Sequence, residues 1–332
     1  MPKVSVVVPL YQTERYIEET LRSVLAQTFE DFEVLVIDDG SSDRGPEIAS
    51  GVSDCRVEVV NQENRGLAGA RNSGIRLARG TYVAFLDADD IWMPTKLERH
   101  VAQLESEPLL DVSFSASRLI DEVGNDIGLV QSPKTRQFSV EDFFCRNPIG
   151  NGSVPVLRRQ SLERIAFFDA EKGRTCWFDE SFRQSEDVEC WMRLAVLGKC
   201  RFGYVDEALT LYRVNSGGLS ANVEKQLASW RRFKDRVASY APELVKRHGR
   251  RAEAYQLRYL ARRAVYSEQR GLAARLIARA VGLYPRMLIE EPNRSGVTIA
   301  AAGAKLIIPS RLFGVLERSA LSFASRRPGL RA

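Results

Sequence analysis

Val4-Ser5-Val6-Val7-Val8-Pro9 is a continuous, β-branched apolar run near the start of the chain. Such a run fits a strand buried on both faces of a parallel sheet better than a half-exposed one, which would alternate polar and apolar residues. Outward from it, Ile17, Leu21, Val24 and Leu25 follow helical spacing, with Glu18 and Glu19 in the first turn and Thr13 placed as a cap. Residues 33–37 read as a second strand running into Asp38-Asp39-Gly40-Ser41-Ser42-Asp43, and 57–60 as a third. Residues 66–77 read as a helix rich in small side chains, and 82–86 as a fourth strand ending in Asp87-Ala88-Asp89-Asp90. Strands alternating with helices build βαβ units with right-handed crossovers, hence an α/β fold with a mostly parallel central sheet. Ligands of such sheets bind beyond the carboxyl ends of the strands, where both acidic clusters fall.

The pattern changes after Leu110. Residues 112–115 and 118–130 read as short strands around a Gly124-Asn125 turn, an antiparallel addition to the sheet. Asn151-Gly152-Ser153 leads into a strand at 154–157, and Ser185-Glu186 precedes a helix over 187–197. Strands follow at 202–205 and 209–212, then a loop at Asn215-Ser216-Gly217-Gly218. Beyond it strand signals stop, and 221–279 is helix-favouring and Arg-rich, with breaks at Ala241-Pro242 and Pro285. The expected organisation is a body over 1–220, halved near residue 110, and a basic helical region over 221–332.

Charge separates the same two parts. From Ala221 onward 23 Lys/Arg face 8 Asp/Glu, a surplus of 15 positive charges, whereas 1–220 holds 25 basic and 35 acidic residues. An acidic body and a basic tail suit different partners. Five cysteines with no C-x-x-C and two histidines, His100 and His248, leave little for a disulfide framework, a His-rich zinc site or a Ser-His-Asp triad. Met1-Pro2-Lys3 runs directly into a strand without signal-peptide architecture, and no uncharged apolar run nears the ~20 residues of a spanning helix. The expected location is cytoplasmic. No aromatic-interleaved basic motif accompanies the charge, so nucleic acid is not an expected partner.

Four motifs carry chemistry. Asp38-Asp39 reads either as a solvated turn or as a strand-end carboxylate for a nucleobase N–H or a ribose hydroxyl. Asp87 and Asp89, two apart in extended chain, point the same way and repel unless a cation lies between them. Oxygen-only ligands suit Mg²⁺ or Mn²⁺, and acidic capping of the next helix is the competing reading. Asn64-Arg65-Gly66-Leu67-Ala68-Gly69-Ala70-Arg71 would let a helix start aim free N–H groups at phosphate, or simply pack closely. Glu186-Asp187 offers a general base or an acidic helix start.

The order of these motifs resembles the family 2 glycosyltransferases, inverting enzymes that use nucleotide sugars and have the A-type fold. The resemblance rests on Val4–Tyr11, Ser23-Val24-Leu25-Ala26-Gln27-Thr28, Val36–Asp43, Asn64-Arg65-Gly66 with Ala70-Arg71-Asn72-Ser73-Gly74, Leu86–Asp90, and Glu186-Asp187 followed by Trp191. It covers about two thirds of the chain. It implies that 1–110 is the nucleotide-sugar half and 111–220 the acceptor half. Pro9, Tyr11 and Asp39 would line the nucleoside pocket, with Asp39 on the base. Arg71 would approach the base or diphosphate, Asp87 would hold the ribose side, Asp89 would ligate Mn²⁺ or Mg²⁺, and Asp187 would be the catalytic base. Where many members carry Tyr-Arg-x-His, this chain has Tyr212-Arg213-Val214-Asn215, an amide in place of an imidazole.

The implied activity moves a sugar from a nucleotide donor, a UDP-sugar by family frequency, to a saccharide or lipid-linked acceptor in surface polysaccharide or glycolipid assembly. A nucleotide-sugar pyrophosphorylase would need a Gly-rich, Arg-containing loop where Val8-Pro9-Leu10-Tyr11 stands, and a non-catalytic binder would not need every carboxylate. Over 297–323, Ile299, Leu306, Ile307, Ile308, Leu312, Phe313, Leu316 and Leu321 mix with Lys305, Arg311 and Arg318. That mixture suits either helices packed on the protein or a peripheral segment at the inner, anionic face of a membrane.

Overall fold

The computed structural model describes residues 1–133, 135–215, 223–265 and 271–307. The chain divides into two compact units, one holding Met1–Val140 and the strand-rich stretch from Pro148, the other Glu141–Asn147 with the C-terminal helices. In the first unit β1 (Val4–Leu10), α1 (Ile17–Leu25), β2 (Phe32–Asp38), α2 (Gly45–Ser50), β3 (Val57–Asn61), α3 (Gly66–Leu77) and β4 (Tyr82–Phe85) follow in order. Their strands lie side by side as β3-β2-β1-β4, all parallel, with Val4 opposite Phe32 and Tyr82. Every residue of β1 and β2 is buried, which is why both are apolar almost throughout. Buried Glu33 of β2 is bonded by Ser5 Oγ (2.6 Å) and by Arg79 through its backbone N (2.9 Å) and Nε (2.8 Å). Thr13 does not cap α1 with its side chain; its carbonyl accepts the Tyr16 and Ile17 amides.

β5 (Ile91–Trp92), α4 (Lys96–Ser106), β6 (Val112–Ile120), β7 (Asp126–Gln131), α5 (Val140–Arg146), β8 (Val156–Arg158), α6 (Arg159–Glu163), β9 (Phe167–Asp169), β10 (Arg174–Cys176), α7 (Glu186–Val196) and β11 (Phe202–Arg213) complete this part of the chain. The sheet continues β4-β8-β6-β11-β5 with β7 on β6. β8 is antiparallel to both β4 and β6, β11 runs parallel to β6, and β9 and β10 pair separately. The two strands read at 202–205 and 209–212 are one, kinked by register shifts between Val205 and Thr210. The extra residues are Asp206 and Glu207 at the first shift, whose polarity breaks the pattern, and Leu209 at the second.

The second unit is helical: α8 (Val223–Tyr240), α9 (Pro242–Val265), α10 (Leu272–Leu283), α11 (Met287–Glu290) and α12 (Pro292–Ile307). The breaks fall at Ala241-Pro242 and at Pro285, where proline's missing N–H cannot continue a helix. Of the amphipathic stretch 297–323, residues up to 307 belong to α12 and the remainder lies outside the described residues. No described helix is long and apolar enough to cross a membrane.

Candidate active site

Backbone positions do much of the work. Asp39 directly follows β2, and its amide donates to the Leu10 carbonyl at the end of β1 (2.9 Å). Its carboxylate accepts Gln62 Nε2 (2.6 Å), Arg65 N (2.8 Å) and Gly66 N (2.8 Å), and so serves the N-terminus of α3. The expectation of free N–H groups at that helix start is therefore corrected: the first of them are bonded to a carboxylate from the neighbouring strand end. Gly66 has φ +78°, a left-handed conformation that side-chain-bearing residues rarely adopt. Pro9 is buried in β1, opposite Ile37, while Tyr11 just beyond it is 51% exposed.

Arg71, on the sixth position of α3, is 1% exposed. Its Nη2 donates to Asp87 Oδ1 (2.6 Å) and its Nη1 to Glu186 Oε1 (2.7 Å). Phe178 and Phe85 flank the guanidinium at 5.4 and 6.0 Å. Arg71 braces the end of β4 against the start of α7. Asp87 and Glu186 hold it firmly protonated despite its burial. Gly152 comes so close to Arg71 and Asp87 that a Cβ there would clash.

Asp89 is pushed up to about 6, first by burial and then by the charge of Asp87. Asn215 Nδ2 donates to its Oδ2 (2.7 Å), so the amide that replaces the expected histidine touches the carboxylate expected to bind metal. Asp90 is fully buried, accepting Ser153 Oγ (2.5 Å) and Arg213 N (2.9 Å), and burial raises its proton affinity well above the ordinary value. Asp187, half-buried in the first turn of α7, is pushed up to about 7, chiefly by desolvation and by the adjacent Glu186, with Arg71 opposing. Its Oδ1 accepts the Val188 amide (2.8 Å).

Asp87, Asp89, Asp187 and Arg71 thus form one electrostatic group, in which the charge of Asp87 raises both other aspartates. Asp39 stands at the other end of the α3 segment that carries Arg71. Three contributors escaped sequence reading. Ser153 bonds Asp90 and accepts the Asp87 amide (3.0 Å). Arg213 donates to the Asp89 carbonyl (2.8 Å) and Glu19 (2.7 Å). Asn72 ties α3 to the Phe178 carbonyl (2.9 Å) and Glu180 (3.0 Å). Each acts over a long sequence separation, and only the adjacency of Arg213 to Asn215 and of Asn72 to Arg71 hinted at two of them.

Two hard carboxylates at one strand end, one raised by the other, fit Mg²⁺ or Mn²⁺. Among the described residues no three His, Cys, Asp or Glu side chains converge as a closed cage, so a cation here would take its remaining ligands from phosphate and water.

The family model described as "Glycosyl transferase family 2" matches residues 5–165. The UDP-Glc:alpha-D-GlcNAc-diphosphoundecaprenol beta-1,3-glucosyltransferase WfaP of Escherichia coli is 32% identical over 231 residues, covering 68% of this chain and 83% of the relative. The putative teichuronic acid biosynthesis glycosyltransferase TuaG of Bacillus subtilis is 30% identical over 225 residues, covering 67% and 82%. Among solved structures, the mannosyltransferase PcManGT of Pyrobaculum calidifontis, in complex with GDP-Man and Mn²⁺, has a TM-score of 0.58 at 21% identity, covering 98% of this chain and 86% of that one. S. aureus TarS 1-349 with UDP-GlcNAc has a TM-score of 0.57 at 21% identity, covering 96% and 92%. These two likenesses bear on the fold alone, while the family model spans the ends of β1, β2 and β4 with Asp38-Asp39 and Asp87–Asp90. On that footing the chain belongs to glycosyltransferase family 2.

Proposed function

We propose that this glycosyltransferase transfers a sugar from a UDP-sugar to a saccharide or lipid-linked acceptor with inversion, using Asp187 as general base and a divalent cation at Asp89. The observation that carries the reading is the Arg71-braced grouping of Asp87, Asp89 and Asp187 at the ends of β4 and α7. The UDP donor and lipid-linked acceptor are supported by the similarity to WfaP, a UDP-Glc:alpha-D-GlcNAc-diphosphoundecaprenol beta-1,3-glucosyltransferase. Pro9, Tyr11 and Asp39 are assigned to the nucleoside, and Asp87 to the ribose side. Arg71 acts through the two carboxylates that it bonds. Mn²⁺ or Mg²⁺ held by Asp89 would supply Lewis-acid neutralisation of the departing diphosphate.

Asp187 at about 7 is basic enough to accept the acceptor's hydroxyl proton as the new bond forms, whereas an alcohol is far too weak an acid to lose it beforehand. Attack opposite the leaving diphosphate in a single displacement inverts the anomeric carbon. The basic region from residue 221 would draw the protein to an anionic membrane face from the cytoplasmic side, where a lipid-linked acceptor would be concentrated.

The test is Asp187→Asn. Loss of a positioned base should lower turnover of UDP-sugar with a crude lipid acceptor by about 10²–10⁴-fold while Mn²⁺-dependent UDP binding persists. Full turnover in that variant would remove Asp187 from the role. An undiminished rate in excess chelator would remove the metal.

A further inference from the structure

An apolar strip runs over the outside of the helical unit. From Ser295 to Ala304, between Arg294 and Lys305, α12 carries no charged residue. Ser295, Thr298 and Ala302 turn inward and are buried, so Gly296, Val297, Ile299 and Ala300 face solvent. Val297 is 67% exposed and Leu306 53%. An ordinary surface helix is polar on that side. Between α12 and α10 lies an open groove of about 480 Å³, lined by Ile277, Ala278 and Val281 of α10 and by Ile299, Ala302 and Gly303 of α12. Among the described residues no polar side chain lines it. Leu306 extends the strip to the start of α10, where its side chain comes within 3.8 Å of the place a Cβ would take on Gly271.

The surroundings of this strip are cationic. Exposed Arg275 neighbours Ala278 one turn along α10, and exposed Arg286 follows that helix. From residue 221 onward 23 Lys/Arg stand against 8 Asp/Glu. A second copy would bring the same surplus of positive charge to this face and be repelled, whereas an anionic surface complements it. Val297 and Leu306 also project outward, as side chains that enter a headgroup layer do, and an open groove suits a continuous surface better than a discrete ligand. We infer that the outward side of α12, with the groove it forms against α10, is the face by which this protein seats on an anionic lipid surface. This seating rests on the membrane attraction proposed above and specifies the side chains that leave water.

The test floats the full chain with phosphatidylglycerol vesicles in EDTA, without sugar donor or acceptor. The parent should float. Val297→Ser/Leu306→Ser keeps every charge and should weaken partitioning at least about tenfold, since two exposed apolar side chains no longer leave water. Val123→Ser/Ile127→Ser makes the same change at exposed apolar positions of the strand-rich unit and should leave partitioning unchanged. A second readout is direct. The four native tryptophans are each 7% exposed or less, so brominated lipid should quench Val297→Trp and spare the parent. If the parent does not float, the membrane attraction fails and this face with it. If it floats and Val297→Ser/Leu306→Ser floats equally, the attraction stands and the face is overturned. A lipid-free dimer that the same two substitutions dissociate would assign the face to a second copy and overturn it as well.

Discussion

The protonation of Asp187 should set the acidic limb of the pH–rate profile. A base working at about 7 must be ionised, so kcat/KM should rise as pH increases through that value and level off above it. Burial and the Glu186 charge both raise it, while Arg71 lowers it. Glu186→Gln removes one raising charge and leaves Arg71 less neutralised, and both changes favour ionised Asp187. The limb of that variant should therefore move to lower pH; a limb that stays in place would mean that another group titrates there. The acids themselves stand out in the sequence because they cluster where apolar strands end. What the sequence does not show is their division of labour. Asp90 sits beside Asp89 in the chain but faces Ser153 and the Arg213 amide, so it is buried structure within a motif that looks uniformly exposed and functional.

Among the elements, Asp39 couples a strand end to a helix. Its carboxylate bonds the Arg65 and Gly66 amides, which have no partner within α3 itself. Asp39→Ala should cost about 1 kcal/mol, as loss of a helix cap does, read as a lower urea midpoint without a change in slope. Asp39→Asn retains one acceptor oxygen and should lose about half as much. If Asp39 also reads the base, both variants should bind UDP more weakly, so the two assays separate the cap from the ligand. The parallel strands and α3 were readable because buried strands and small-residue helices have strong local patterns. The two-residue β5, the β9–β10 hairpin and the short α2, α5 and α6 were not, since their few residues are ordered by tertiary contacts rather than by periodicity. β11 was readable in two pieces only, because its bulge is defined by the partner strand.

For the molecule as a whole, the contrast between an acidic body and a basic tail is a sequence property, but the assignment of 141–147 to the helical unit is not. Phe144 packs against Phe233 at 6.0 Å across almost ninety residues of chain, a contact that no local pattern announces. Stability should also carry a signature of one buried polar pair in the strand-rich unit. Lys96 and His100 are both fully buried, with Lys96 Nζ donating to the Val154 carbonyl (2.6 Å) and His100 Nδ1 paired with Ser113 Oγ (2.7 Å). Desolvation, reinforced by Lys96, holds His100 well below its ordinary 6.5. The folded protein therefore refuses a proton that the unfolded chain accepts. As pH falls below about 6.5, unfolding gains up to about 1.4 kcal/mol per pH unit from this residue, until the folded state is protonated too. Asp90, raised by burial, acts in the opposite sense, since the unfolded chain ionises first, but it acts equally in a parent and a His100 variant. The comparison that isolates the histidine is urea unfolding between pH 7 and pH 5 for the parent and His100→Gln. The variant should be less stable at pH 7 yet lose less stability on acidification. Parallel curves would mean that His100 is protonated inside the fold and that Lys96 is the neutral partner.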